Sequence, residues 1–379
     1  MYKVLHVTPD DKFFDVVFSI WEKMDGLLNE AILIVDNEHY TLRYIKNAQK
    51  LQIAYDENEI RCRLAQDDYQ ILYFHSLSPE IYKYIRFVPK NKVIIWWAWG
   101  FDVYYENISP KPFIDLTLLK PITRSFQPNP TWISQIYTTL RLLIKDLLVK
   151  KRQKKVLNRI DYFQPVTKIE YALMQKNRGF RAKEFYHEDS LLDIEIKMTL
   201  RSSKGNILIG NSATITNNHV DVLNHVVKSR DQQQQIIMPL NYGGDSNYLT
   251  WLLNNIQKVD NITPLLEFMP ANEYYDIVES CSYACFGVIR QQAMGNIRYA
   301  LSRGIKVFLY KDSIPYKSLK NMGFAVYAIE DMDAEALQTP LTPEENEQNI
   351  LAFNKEITRR SCLCKQFFDD MKNNQINKY

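Results

Sequence analysis

Short runs of β-branched and aromatic residues recur along the 379-residue chain, separated by polar or helix-patterned stretches. Residues 3–7 (KVLHV), 31–35 (AILIV), 70–75 (QILYFH), 92–97 (KVIIWW) and 162–166 (YFQPV) are mostly apolar, the pattern of strands buried on both faces. A second set occupies 206–209 (NILI), 235–239 (QIIMP), 264–268 (PLLEF), 283–288 (YACFGV), 306–310 (KVFLY) and 324–328 (FAVYA). Helical spacings fill many of the gaps, as with Val220, Leu223 and Val227. Strand and helix in alternation predict parallel sheets covered by helices, and two sets predict two α/β domains. The polar stretch 201–205 (RSSKG) precedes a fresh strand. The expected organisation is a first domain over 1–190, a second over 200–340, and a helical tail over 341–379 that packs back on the first.

The longest helical pattern runs over 132–160, where Ile136, Leu140, Leu143, Ile144, Leu147 and Leu148 share one face. Charge changes the reading of this segment. The chain carries a net +3, but residues 141–160 alone hold +7 and the remainder sums to −4. Lys150, Lys151, Arg152, Lys154 and Lys155 crowd the end of the pattern. One reading is an amphipathic helix on an anionic membrane surface; the other is a core helix with a solvated basic end. Nucleic acid is not expected as a partner, because the rest of the chain is acidic and no nucleic-acid motif accompanies the patch.

Composition narrows the class further. Hydrophobic residues at 46% and charged residues at 24% describe a folded globular protein. No stretch approaches the roughly 18 apolar residues of a spanning helix, and the opening MYKVLHVTPDDKFF lacks a signal-peptide core. Cys62, Cys281, Cys285, Cys362 and Cys364 are odd in number and scattered, which predicts reduced thiols rather than disulfides or a zinc site.

Parallel α/β sheets bind ligands beyond the carboxyl ends of their strands. The strand at 206–209 is followed by Gly210, Asn211 and Ser212, then by a polar stretch that enters a helix. Such a segment suits a phosphate, or is simply an N-capped turn. Tyr242 precedes a glycine pair after 235–239, and Arg290, Gln291 and Gln292 follow 283–288. Arg290 is placed to pair with a diphosphate, and the two amides to bind base or sugar. The first half supplies candidate bases at strand ends, Asp11, His75 and Asp102, each also explicable as a cap, core histidine or turn residue. Trp96, Trp97 and Trp99 are core or a stacking surface for a sugar ring. Asp331-Met332-Asp333 has the spacing of a metal-binding DxD signature, but capping accounts for it, and no metal site is expected.

Taken in order, these segments resemble glycosyltransferase family 56 over most of the chain. The resemblance lies in Leu5-His6-Val7, Trp96 with Trp99-Gly100, Asp102-Val103-Tyr104, and Gly210-Asn211-Ser212 with Asn217 and His219. It continues in Pro239 with Tyr242, Leu266-Glu267-Phe268, and Arg290-Gln291-Gln292 with Gly295. Trp97 and Ser282 depart from the pattern, where the family has His and Asp, and the first 70 residues match little beyond the opening strand. The resemblance implies a GT-B fold, two Rossmann-like domains facing across a cleft, with the nucleotide-diphosphate sugar held by the second domain and the acceptor by the first. It implies transfer of a deoxyamino sugar such as Fuc4NAc from a dTDP or other nucleotide donor to a polyprenyl-diphosphate-linked glycan. It implies no cofactor and a peripheral place on the cytoplasmic face of a bacterial inner membrane. Gly210, Asn211 and Ser212 would contact phosphate through backbone N–H groups and a hydroxyl, and Arg290 would neutralise the diphosphate. Tyr242, Gln291 and Gln292 would position base or sugar, and Glu267 would bind hydroxyls. Two alternatives are a nucleotide-sugar epimerase, which needs no acceptor, and a non-catalytic scaffold at a membrane, which would show no nucleotide affinity.

Overall fold

Two all-parallel sheets organise the chain. The computed structural model describes residues 1–9, 14–42, 45–46, 48–77, 79–104, 112–127, 151–187 and 195–373. The chain divides into two units, Met1–Asp115 with Ile133–Leu192 and Ile357–Tyr379, and Leu116–Trp132 with Asp193–Glu356.

The first unit contains β1 (Tyr2–Thr8), β2 (Leu27–Ile34), β3 (Leu51–Ala54), β4 (Ile71–Phe74), β5 (Val93–Trp97), β6 (Tyr162–Gln164) and β7 (Lys183–Glu184). Their order is β3-β2-β1-β4-β5-β6-β7. Val4 pairs with Asn29 on one side and Ile71 on the other. The central strands are mostly apolar, as expected of strands buried on both faces, and Val4, Leu5, Val7, Ile71 and Ile95 are fully buried. Each such side chain contributes roughly 1.5–3 kcal/mol by leaving water.

The second unit contains β8 (Asn206–Ile209), β9 (Ile236–Pro239), β10 (Ile262–Leu265), β11 (Cys281–Phe286), β12 (Lys306–Leu309) and β13 (Tyr327–Ala328). Their order is β10-β9-β8-β11-β12-β13. In each sheet the order reverses beside the first strand, between β1 and β4 and between β8 and β11, which opens a crevice at those carboxyl ends.

Several expectations are adjusted. β3 and β7 are short edge strands with no apolar run to announce them. β10 ends at Leu265, so Leu266, Glu267 and Phe268 lie beyond it rather than in it. The first domain is not continuous to residue 190, because Leu116–Trp132 clusters with the second unit. The cause is a cap supplied from far along the chain. The Asp221 carboxylate accepts from Ile122 N (3.0 Å), Thr123 N (2.8 Å) and Thr123 Oγ1 (2.7 Å), closing the start of the helix Pro121–Ser125. Asn218 Oδ1 accepts from Lys120 N at 2.8 Å, and Leu118, Ile122 and Phe126 pack on the second core.

The helix Pro343–Lys372 ends in the first unit, where Phe367 joins Tyr162 and Phe185 in the core. Its Asp370 accepts from Tyr162 Oη at 3.0 Å and from Lys183 Nζ at 2.8 Å. Most of the amphipathic pattern over 132–160, with Lys150, falls outside the described residues. Residues 151–157 are helical, with Lys151, Arg152, Lys154 and Lys155 exposed and Gln153, Val156 and Leu157 buried. Among the described residues no helix is long and apolar enough to cross a membrane. None of the five cysteines, all of them among the described residues, forms a disulfide.

Candidate active site

In the second unit, three loops at the carboxyl edge of the sheet are tied to one another. Gly210 leaves β8 with φ +71°, and its N–H donates to Cys285 O at 2.9 Å. A Cβ there would lie 2.9 Å from His219 Nε2, so the loop closes directly on a buried imidazole. The loop after β9 is bound to it through Ala213 N to Tyr242 O (2.8 Å), Thr214 Oγ1 to Gly243 O (2.8 Å) and Asn211 Nδ2 to Tyr242 Oη (3.1 Å). The loop after β11 is bound through Asn218 Nδ2, which donates to Gly287 O at 2.7 Å.

Arg290, Gln291 and Gln292 follow on this third loop. Arg290 is buried and its Nη1 donates to Gln291 O at 2.9 Å. Gln292 Oε1 accepts from Thr216 Oγ1 at 2.6 Å. The chain then turns through Ala293 at φ +58° into the helix Met294–Ser302, whose start has no side-chain cap. By contrast, Asp245 caps Ser246–Ile256 through Tyr248 N, and Ser313 caps Ile314–Met322 through Tyr316 N. A Cβ on Gly295 would meet nothing within 4 Å, so space is open over the first turn of the uncapped helix. Asn211 Oδ1 and Gln291 Nε2 are buried with no hydrogen-bond partner among the described residues. An unpaired acceptor on the loop after β8 and an unpaired donor on the loop after β11 thus stand at the carboxyl edge of the same sheet.

This geometry adjusts two expected roles. The Gly210 N–H is engaged by the sheet, so Gly210 acts through shape and not as a phosphate donor. The Ser212 hydroxyl is turned inward, 3.0 Å from Thr214 Oγ1 and accepting from Asn217 Nδ2 at 3.1 Å. Tyr242 is 47% exposed and Glu267 is exposed beyond β10, both at the rim.

In the first unit the candidate bases separate. Asp11 lies outside the described residues. Asp102 is fully buried, and its carboxylate accepts from Leu77 N (3.0 Å), Trp96 Nε1 (2.8 Å), Trp99 N (3.0 Å) and Gly100 N (3.1 Å). Burial raises its pKa while those donors oppose the rise. With both oxygens engaged by four donors, Asp102 holds the loop after β5 rather than meeting a substrate. His75 follows β4, 4% exposed, with its Nε2 3.0 Å from His6 Nδ1. Trp96 is core, while Trp97 and Trp99 are half-buried with ring centroids 4.3 Å apart. His187 stands edge-on to Trp97 at 4.9 Å. Asp331 pairs with Lys311 at 2.5 Å and Asp333 accepts from Ala336 N at 2.8 Å, and among the described residues no group of His, Cys, Asp and Glu could hold a metal.

Asn29, His187, Asn218 and Asp221 carry no signal in the sequence as site-forming side chains, and His6 enters there only as part of Leu5-His6-Val7. Each finds its partner across tens of residues, so no local spacing announces it.

The buried imidazoles make stability pH-dependent. Burial pushes His6 to about 3 and His219 to about 4, below the ordinary 6.5. The unfolded chain therefore binds more protons in this window, and the stability carried by the neutral rings is full above about pH 6.5 and lost as pH falls. The unfolding free energy from urea titrations is expected to drop steadily from pH 6.5 to 5, by up to about 1.4 kcal/mol per pH unit per ring. A flat profile across that window would show that the rings are solvated.

Two Rossmann-ordered parallel units define the GT-B class of glycosyltransferase folds. The chain is similar over 98% of its length to the OtsA apo structure (TM-score 0.61, 10% identity, 99% of that chain). It is similar over 98% of its length to Anabaena HepE in complex with UDP and glucose (TM-score 0.57, 9% identity, 100% of that chain). Sucrose-phosphate synthase from Thermosynechococcus elongatus is similar over 97% of this chain and 100% of its own, with TM-score 0.59 and 10% identity. The family described as 4-alpha-L-fucosyltransferase, glycosyl transferase group 56, matches residues 65–342, and the chain belongs to that family. It is a glycosyltransferase, which sets aside the epimerase and the non-catalytic scaffold.

Proposed function

We propose that this glycosyltransferase moves a deoxyamino sugar such as Fuc4NAc from a nucleotide-diphosphate donor, dTDP or another, to a polyprenyl-diphosphate-linked glycan in bacterial surface polysaccharide synthesis. The observation that carries the donor site is the unpaired Asn211 Oδ1 and Gln291 Nε2 beside the uncapped, open start of Met294–Ser302. Free N–H groups of Met294, Gly295 and Asn296 favour a diphosphate, and Arg290 neutralises it. Tyr242 and Glu267 at the rim meet base, ribose or sugar hydroxyls, and Gln292 is held in place by Thr216. His75 is the base for the acceptor hydroxyl. Two similar structures, HepE with UDP and glucose and an E. coli trehalose-6-phosphate protein with UDP-2-fluoro glucose, agree with a nucleotide-sugar partner. Exposed Lys151, Arg152, Lys154 and Lys155, with Lys150 beside them in sequence, suit an anionic surface at the cytoplasmic face of the inner membrane.

The test is a thermal-shift titration with dTDP, UDP and GDP on the wild type and on Gly295→Ala. One nucleotide is expected to raise Tm in the wild type. Without ligand, Gly295→Ala is expected to be more stable by about 0.5–1 kcal/mol, as for any glycine replaced inside a helix. With ligand, the added methyl fills the open space and the shift shrinks. Equal shifts in both proteins would remove this helix start from the donor site.

A further inference from the structure

The geometry points to His6 and Asn29 as positioning residues that fix the tautomer of His75 and leave its Nδ1 as the nitrogen that accepts the acceptor hydroxyl's proton. This rests on the glycosyl-transfer reading above. The three residues lie where the strand order of the first sheet reverses: His6 on β1, Asn29 on β2, and His75 directly after β4, with His75 N donating to Val7 O at 2.9 Å.

The protons can be placed in sequence from a group that has no choice. Trp21 O is a carbonyl and only accepts. Asn29 Nδ2 donates to it at 3.0 Å, which turns Asn29 Oδ1 toward His6 Nε2 at 3.2 Å. An amide oxygen also only accepts, so His6 carries its proton on Nε2. A neutral imidazole has one such proton, so His6 Nδ1 is a lone pair. It accepts from His75 Nε2 at 3.0 Å, and the lone pair of His75 is therefore on Nδ1. Asn29 and His6 are both almost fully buried, and His6 packs against Phe18 (5.1 Å) and Trp21 (5.4 Å), so neither ring nor amide is at liberty to flip. Beside His75, Ser76 Oγ is buried with no hydrogen-bond partner among the described residues.

In the transfer step the acceptor oxygen forms a bond to the anomeric carbon and gives its proton to His75 Nδ1. The bond from that carbon to the diphosphate oxygen breaks, and its electron pair leaves with the nucleoside diphosphate. His75 becomes an imidazolium whose Nε2–H is shared with His6 Nδ1, so the charge spreads over two rings before the proton passes to solvent. Among the described residues the titratable groups facing the pair are His187 and Tyr73, and the helix Phe14–Glu22 presents Phe14, Phe18 and Trp21.

The experiment is long-range ¹H–¹⁵N correlation of the full chain with ¹⁵N-labelled histidine at pH 7.5, assigned with His6→Gln and His75→Gln. Both rings are expected as Nε2–H tautomers, and His75 protonated on Nδ1 would overturn the relay. Asn29→Asp keeps an acceptor for His6 but adds a negative charge. It should raise the pH at which the pair titrates by at least about one unit, and the acid limb of kcat with the selected sugar nucleotide should rise alongside, with its KM unchanged. A merely structural Asn29 would let the added carboxylate raise the ring titration but leave the acid limb of kcat in place, and that result would also overturn the proposal. If Asn29→Asp does not fold, the wild-type tautomers decide. These spectra need no substrate, so a correct tautomer pair with no nucleotide binding would count against the donor reading and leave the relay standing.

Discussion

Gly287→Ala is expected to lower Tm by roughly 6–12 °C and to abolish nucleotide binding. An added Cβ would stand 2.2 Å from Asn217 O and 2.5 Å from Val222 Cγ2. Neither can retreat. Val222 is fully buried, and Asn217 is pinned by its Nδ2, which donates to Ser212 O (3.1 Å), Ser212 Oγ (3.1 Å) and Thr214 O (3.3 Å). Moving Gly287 instead breaks the 2.7 Å bond from Asn218 Nδ2. Overpacking a tight core costs about 1–3 kcal/mol, and a clash with backbone belongs at the upper end. For a unit of this size about 3 kcal/mol corresponds to the stated drop in Tm. Gly323→Ala is the control. Its φ of +91° strains an alanine, but the Cβ meets nothing within 4 Å, so its cost is limited to about 1–2 kcal/mol of backbone strain. Circular dichroism melts of the two variants compare contact with strain. Equal melting would show that the loop after β11 does not pack on the loop after β8.

The repeating apolar runs made both sheets legible, because a strand covered on both faces can only be written in apolar residues. β1, β4, β5, β8, β9, β11 and β12 lie where those runs fall. β3 and β7 were not legible, since an edge strand needs no such run. The strap at Leu116–Trp132 was hidden for a different reason. Its helix start is closed by Asp221, nearly a hundred residues later, and a cap supplied from so far leaves no mark on the strap's own residues. In the candidate site, position was legible and role was not. Arg290, Gln291 and Tyr242 stand at strand ends, as a strand-then-polar pattern implies. Yet Asp102 reads the same way in sequence, and four donors converge on it to make it a loop anchor. A carboxylate after a strand does not say whether solvent or backbone will meet it. That depends on how the following residues, here Trp99 and Gly100, turn their N–H groups.

Arg290→Ala is expected to weaken nucleoside diphosphate binding roughly 10- to 100-fold and to cut sugar transfer about 100- to 1,000-fold. Arg290 is 9% exposed on the loop after β11, with Nη1 held on Gln291 O at 2.9 Å, one turn ahead of the uncapped helix start. The helix offers partial positive charge through its first N–H groups, and a diphosphate there acquires more negative charge as the bond to the sugar breaks. A nearby guanidinium therefore stabilises the departing diphosphate more than the intact donor, which is why turnover should fall further than binding. Arg290→Lys separates charge from geometry. A lysine keeps the positive charge but loses the planar fork, so it should restore part of the binding and little of the turnover. Calorimetry with the nucleotide selected by thermal shift, and initial rates with its sugar conjugate, read the two effects apart. An Arg290→Ala protein with wild-type melting and undiminished turnover would remove Arg290 from the donor site. Equal losses in binding and turnover would place it on the ground-state donor alone, with no added role as the diphosphate departs.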